Sequence, residues 1–183
     1  MPSSNSTSRP SDEADERQLA MAQEEGAAYQ RSLAYMVEEV ADSGGRRLVG
    51  DYIIAFAQER AEGMYQLKAE GQLEWMEPGD ANCHLEVSVS DAADQRFVPA
   101  LDIEATLIPA EGAPVGPFKV PFVWHPGLYH YGANVRVPGD GRYTLRIRAA
   151  PPTFMRHDRV NGRRYADTVE VEFKDVKIET GRE

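Results

Sequence analysis

From residue 48 onward the chain is divided into short stretches in which apolar and polar residues alternate, separated by glycine- and proline-rich turns. Few folds accept such a pattern. Residues 84–90 are the clearest case. His84, Glu86, Ser88 and Ser90 fall on one face of an extended strand, and Leu85, Val87 and Val89 on the other. The apolar set predicts the core side, so His84 and Glu86 share the opposite face. Similar stretches are read at 48–57, 63–67, 72–75, 97–108, 118–124, 129–137, 142–148 and 168–179, with turns at Pro78-Gly79-Asp80 and Pro138-Gly139-Asp140-Gly141. In the last stretch the inward parity slips between Phe173 and Val176, which predicts a bulge near Lys174-Asp175. About seven to nine strands with turn signals roughly every 8–12 residues point to a mainly β chain, an antiparallel sandwich of immunoglobulin or cupredoxin type.

The first quarter reads differently. Residues 1–11 are serine-rich and polar and predict a disordered tail. Ser11 is the expected N-cap of a helix over residues 12–42, where Leu19, Ala22, Gly26, Tyr29, Leu33, Met36 and Val40 recur at steps of three and four and form one stripe. Gly44-Gly45 supplies the expected stop. The predicted organisation is therefore a tail (1–11), a helix (12–45) that packs on the body or on a partner subunit, and a sandwich (46–180).

The formal net charge is −10, which disfavours nucleic acid and anionic membranes. A single cysteine, Cys83, rules out an intrachain disulfide. Residues 1–10 show no secretory signal, so the chain reads as cytoplasmic as it stands. Phosphate-binding glycine loops, nucleophile elbows and His-Glu-x-x-His helices do not occur. A type 1 copper centre needs Cys and His together, whereas Cys83 and His84 are strand neighbours facing opposite ways.

The four histidines, His84, His125, His130 and His157, all lie in the β portion. Imidazole is the commonest side-chain ligand of transition metals. Each ring alone also fits a structural role. A metal centre and a sandwich with structural histidines both remain open at this point, as does an enzyme with an open zinc position beside Glu86.

Three stretches resemble the periplasmic iron-transport protein family, whose members are small, dimeric, cupredoxin-like metal-binding proteins. They are His130-Tyr131-Gly132-Ala133-Asn134-Val135, Pro138-Gly139-Asp140-Gly141-Arg142-Tyr143, and Pro151-Pro152 followed by Arg156-His157-Asp158. The strand Cys83-His84-Leu85-Glu86 is similar to that family's His-x-Glu strand. The resemblance implies a non-enzymatic copper- or iron-binding protein with His84, His130 and His157 as ligands and Glu86 beside them. It also implies a homodimer, an extracytoplasmic location and a membrane permease partner. The family's Met ligand falls here on Val123. His125 is near enough in sequence to substitute, which would favour Cu(II), Zn or Fe(II) over Cu(I). Met64 and Met155 are alternative sulfur donors. A competing reading is an interaction module that assembles through its helix.

Overall fold

The computed structural model describes residues 7–183, apart from the side chain of Val40. One helix precedes eleven strands. Helix α1 spans Glu16–Tyr35 and continues into a π-helical turn, Met36–Val40. The strands are β1 (Ser43–Val49), β2 (Tyr52–Glu59), β3 (Met64–Ala69), β4 (Gln72–Met76), β5 (Cys83–Asp91), β6 (Asp102–Pro109), β7 (Val115–Lys119), β8 (Phe122–Val123), β9 (His130–Val135), β10 (Gly141–Ala150) and β11 (Val169–Ile178).

The strands form a five-stranded sheet in the order β1-β2-β5-β9-β8, a four-stranded sheet in the order β11-β10-β6-β7, and a separate β3-β4 ribbon. Every strand pairing is antiparallel. The two larger sheets enclose the main core. Ile54, Leu85 and Val87 come from one, and Leu107, Leu145 and Ile147 from the other. Cys83 joins this core, on the face of β5 opposite His84, and burial pushes its thiol up to about 12. On β11 the register against β10 shifts between Tyr143 and Leu145, which places Lys174 and Asp175 in the expected bulge.

Several expectations are corrected. The tail is not wholly unstructured. Its residues 1–6 lie outside the described residues, but Arg9 exchanges hydrogen bonds with Asn161. Ser11 donates to Asp158 at 2.9 Å. Ser11 is not the helix N-cap. That role belongs to Asp15, in a capping box with Gln18. The helix also ends before Gly44-Gly45. The π turn closes when the Ala41 N–H reaches the Met36 carbonyl, and the Asp42 N–H then joins β2 at Gln58. Both glycines lie in β1, because ladder pairing with β2 outcompetes helix continuation there. The single stretch expected at 48–57 is a hairpin, turning at Gly50 and Asp51.

The largest difference concerns β5. All nine of its residues are buried, the polar set included. Helix α1 covers that second face. Leu33 and Met36 pack on Ala55 and Ala57 of β2 and on Leu128. Tyr29 Oη bonds Ser88 Oγ at 2.9 Å, and Gln30 Nε2 donates to Ser90 Oγ at 3.1 Å. Gly26 lies so close to the Asp94 carbonyl oxygen that a Cβ would come within 1.7 Å of it. The helical stripe is thus used within the chain, contrary to a helix that mediates assembly.

Candidate metal centre

The site lies on the helix-covered face of the five-stranded sheet. Directly paired residues of antiparallel strands share a face. His84 pairs with Asn134 of β9 and with Glu59 of β2, and Glu86 pairs with Gly132 and Ala57. His130 pairs with Val123 of β8. Two-residue periodicity therefore brings His84 and Glu86 on β5 beside His130, Gly132 and Asn134 on β9. Gly132 leaves the room for this. A Cβ there would lie 3.0 Å from both Cε1 and Nε2 of the His84 ring.

His84, Glu86 and His130 are 0%, 5% and 1% exposed. One ligand atom from each lies within 4.8 Å of the others, and no other His, Cys, Asp or Glu group among the described residues converges in this way. His130 Nε2 lies 3.1 Å from Glu86 Oε1, and His84 Nε2 lies 4.0 Å from the same oxygen. None of these contacts has hydrogen-bond alignment, so His84 Nε2, His130 Nε2 and Glu86 Oε2 are buried polar atoms without a partner. Such atoms are costly unless something else satisfies them. A cation bound between them would do so, and the residues fit that role.

Burial sets the electrostatics. It lowers His84 to about 4, partly opposed by the Asn134 hydrogen bond. It lowers His130 to about 4, with His84 and His125 adding to the effect. Glu86 is pushed up to about 8, first by burial and then by repulsion from Glu59 and Glu62. Near neutral pH both rings are uncharged and carry lone pairs, as metal ligation requires.

A cavity of about 460 Å³ opens beside the trio, between the end of α1 and the sheet. Arg31, Tyr35 and Met36 line it from the helix side, and Glu59, Glu62, Glu86 and His125 from the other. Glu62 was not anticipated. Its Oε1 lies 3.5 Å from His84 Nε2, and burial raises its pKa. Glu59, also raised by burial, was missed as well. Both belong to the end of β2 and the segment after it, where no motif marks them. Asn134 was legible only as part of the β9 motif, although its four-residue spacing from His130 already put it on the same face.

The other expected ligands lie elsewhere. His125 is exposed in its turn, with its ring centroid 5.9 Å from that of His130. Its Nδ1 accepts from the Gly127 N–H at 3.0 Å, so that lone pair is engaged and His125 forms a wall of the cavity rather than part of the buried trio. His157 is not at the site. Its side chain is 92% exposed and its Nδ1 lies 2.9 Å from Glu13 Oε2. The loop carrying it is anchored through Arg164 and Tyr165 to Asp91, at the opposite end of β5 from His84. At about 3.3 Å per residue, the seven steps from His84 to Asp91 separate the two ends by roughly 23 Å. Val123 stands beside His130 and brings no sulfur. Met155 is 96% exposed, and Met64 pairs with Met76 in the ribbon. Of the flanking aromatics, Tyr131 is a core clamp whose hydroxyl donates to the Val98 carbonyl and accepts from the Leu101 N–H.

The comparisons with known proteins bear on the family and the fold. A family profile described as Fe2+ transport protein matches residues 60–179. Helix α1 and the whole β1-β2 hairpin precede the match. No sequence among the curated proteins matches the chain. Among solved structures, the chain is similar to FetP of uropathogenic Escherichia coli strain F11, at 20% identity and a TM-score of 0.61 over 75% of this chain and 94% of that one. It is also similar to copper-reconstituted P19 of Campylobacter jejuni, at 18% identity and a TM-score of 0.62 over 76% and 96% of the two chains. At these identities the structural matches speak to the fold.

Proposed function

Because the chain belongs to the Fe2+ transport protein family, we propose that it is a non-enzymatic binding protein for a divalent transition metal in iron uptake, held by His84, His130 and Glu86. One observation carries this reading: His84, Glu86 and His130 each bring a ligand atom within 4.8 Å of the others, and each holds a buried polar atom with no hydrogen-bond partner. His125 and Glu62 stand at the mouth. Imidazole nitrogen and carboxylate oxygen without a thioether suit Cu(II), Fe(II) or zinc better than Cu(I). Copper is the metal named for P19, and iron the one named for the family. Purified without a histidine tag, the protein is expected to take up Cu(II) or anaerobic Fe(II) stoichiometrically and to lose that uptake in His130→Ala. Uptake unchanged by the substitution overturns the assignment.

The same reading makes the protein a homodimer that works outside the cytoplasm beside a membrane permease. The β3-β4 ribbon supports an assembly. Tyr65, Leu67, Leu73 and Trp75 are each more than half exposed, and the register places Tyr65 opposite Trp75 and Leu67 opposite Leu73 on one face. A lone two-stranded ribbon is only marginally stable in water. Sedimentation is expected to show a dimer that Leu67→Glu dissociates, and a monomeric wild type rejects this assembly. Crosslinking to a co-expressed iron permease in intact cells tests the partner and its compartment.

A further inference from the structure

Asn134 sits opposite His84 in the β5–β9 ladder, and its side-chain amide makes three contacts. Nδ2 donates to the Glu62 carbonyl at 2.7 Å. Oδ1 accepts from the Glu62 backbone N–H at 3.3 Å and lies 3.0 Å from His84 Nδ1. The partners settle which way the amide faces. A carbonyl oxygen can only accept, so the NH₂ group must face the Glu62 carbonyl, and a backbone N–H can only donate, so Oδ1 must face it. Oδ1 has no hydrogen to give. Its contact with the ring therefore requires the hydrogen of neutral His84 on Nδ1. Nε2 is left with its lone pair, and Nε2 is the nitrogen that faces Glu86 Oε1 at 4.0 Å and Glu62 Oε1 at 3.5 Å.

We propose that Asn134 is a positioning residue of the metal centre. It locks His84 in the Nδ1–H tautomer and holds Glu62, through both backbone polar groups, so that its carboxylate faces the same Nε2. The tautomer lock stands on hydrogen-bond geometry alone. Its consequence for metal uptake rests on the metal-binding reading above. Metal-ligating histidines commonly donate their other ring N–H in this way, and loss of such a partner typically costs 10- to 100-fold in affinity. Here one amide serves both the imidazole and the neighbouring carboxylate.

The test reads the His84 tautomer in the metal-free, ¹⁵N-labelled chain by long-range ¹H–¹⁵N correlation, then measures Cu(II) affinity by chelator competition. The wild type is expected to show a protonated Nδ1 and a pyridine-type Nε2. Asn134→Leu removes the acceptor, so the Nε2–H tautomer becomes populated and Cu(II) affinity falls about 10- to 100-fold. Asn134→Asp retains the acceptor and keeps the tautomer, but it sets an oxygen against the Glu62 carbonyl, so only part of the affinity returns. A wild-type His84 with its hydrogen on Nε2 overturns the proposal, as does an Asn134→Leu protein that keeps both tautomer and affinity. Should Asn134→Leu fail to fold, the wild-type tautomer decides alone. A wild type with the expected tautomer that takes up neither Cu(II) nor Fe(II) rejects the metal centre while the lock itself stands.

Discussion

His130 Nε2 lies 3.1 Å from Glu86 Oε1 in a place where neither side chain meets more than a trace of solvent. With His130 lowered to about 4 and Glu86 raised to about 8, the pair near neutrality is an uncharged ring beside a protonated carboxylic acid. A cation arriving there competes with the acid proton for the same oxygen.

Metal uptake is therefore expected to release about one proton per ion near pH 7, with affinity falling up to about tenfold per pH unit below 8. Calorimetry in buffers of different ionisation enthalpy measures the released proton. Glu86→Gln should bind without that release, and a wild-type affinity that is flat between about pH 6 and 8 contradicts the assignment.

Stability of the metal-free protein should pass through a maximum near pH 6.5. His84 and His130 have folded pKa values of about 4, below the usual 6.5, so the unfolded chain holds more protons in that window and stability is lost as pH falls through it. Glu86 works the other way. Its folded pKa of about 8 exceeds the ordinary 4.5, so its contribution is present at low pH and is lost as pH rises toward 8. From pH 6.5 to 8 the two histidines no longer contribute, and Glu86 lowers stability at a slope of up to about 1.4 kcal/mol per pH unit. Urea denaturation across pH reads both limbs, and Glu86→Gln should flatten the alkaline one.

Gly132→Ala places a methyl group 3.0 Å from the His84 ring and 3.2 Å from Val123 Cγ2. The ring must yield. We expect a destabilisation of about 1–2 kcal/mol, with unchanged far-ultraviolet circular dichroism and a metal affinity at least about tenfold lower. Unchanged affinity would show that the His84 ring position is immaterial to binding.

Gly26→Ala meets backbone rather than a movable side chain, since its Cβ would overlap the Asp94 carbonyl. The roughly 1 kcal/mol that alanine gains in helix propensity does not offset displacement of the whole helix. Limited proteolysis is expected to cut within α1 in the variant and not in the wild type, and the buried trio should become accessible to diethyl pyrocarbonate. Equal protection in both proteins contradicts the tight docking.

Strand parity was the most readable layer of this chain. It placed His84 and Glu86 together and predicted the bulge at Lys174-Asp175, because alternation with period two is a local property of the backbone. It did not reveal what covers the second face of β5. Alternation separates two faces without saying whether water or another element lies against either, and the covering residues Tyr29, Leu33 and Met36 come from far away in sequence. His157 stands apart from the trio within this chain for a related reason. Its motif marks a loop, and the anchor at Asp91 that carries the loop to the far end of β5 is a tertiary contact with no local signature. Glu62 and Glu59 escaped notice because nothing in a single acidic residue announces a shared cavity.

The complete burial of β5 also bears on kinetics. This strand is paired on both edges and covered on both faces, so its amides are expected to exchange with solvent only when the whole sandwich opens. His130 lies one strand from the sheet edge, beside the two-residue β8, where fraying is cheap. Under the metal-binding reading proposed above, His130 is therefore expected to be the first of the three side chains to release an ion, by local opening at β8 and without unfolding of the sandwich.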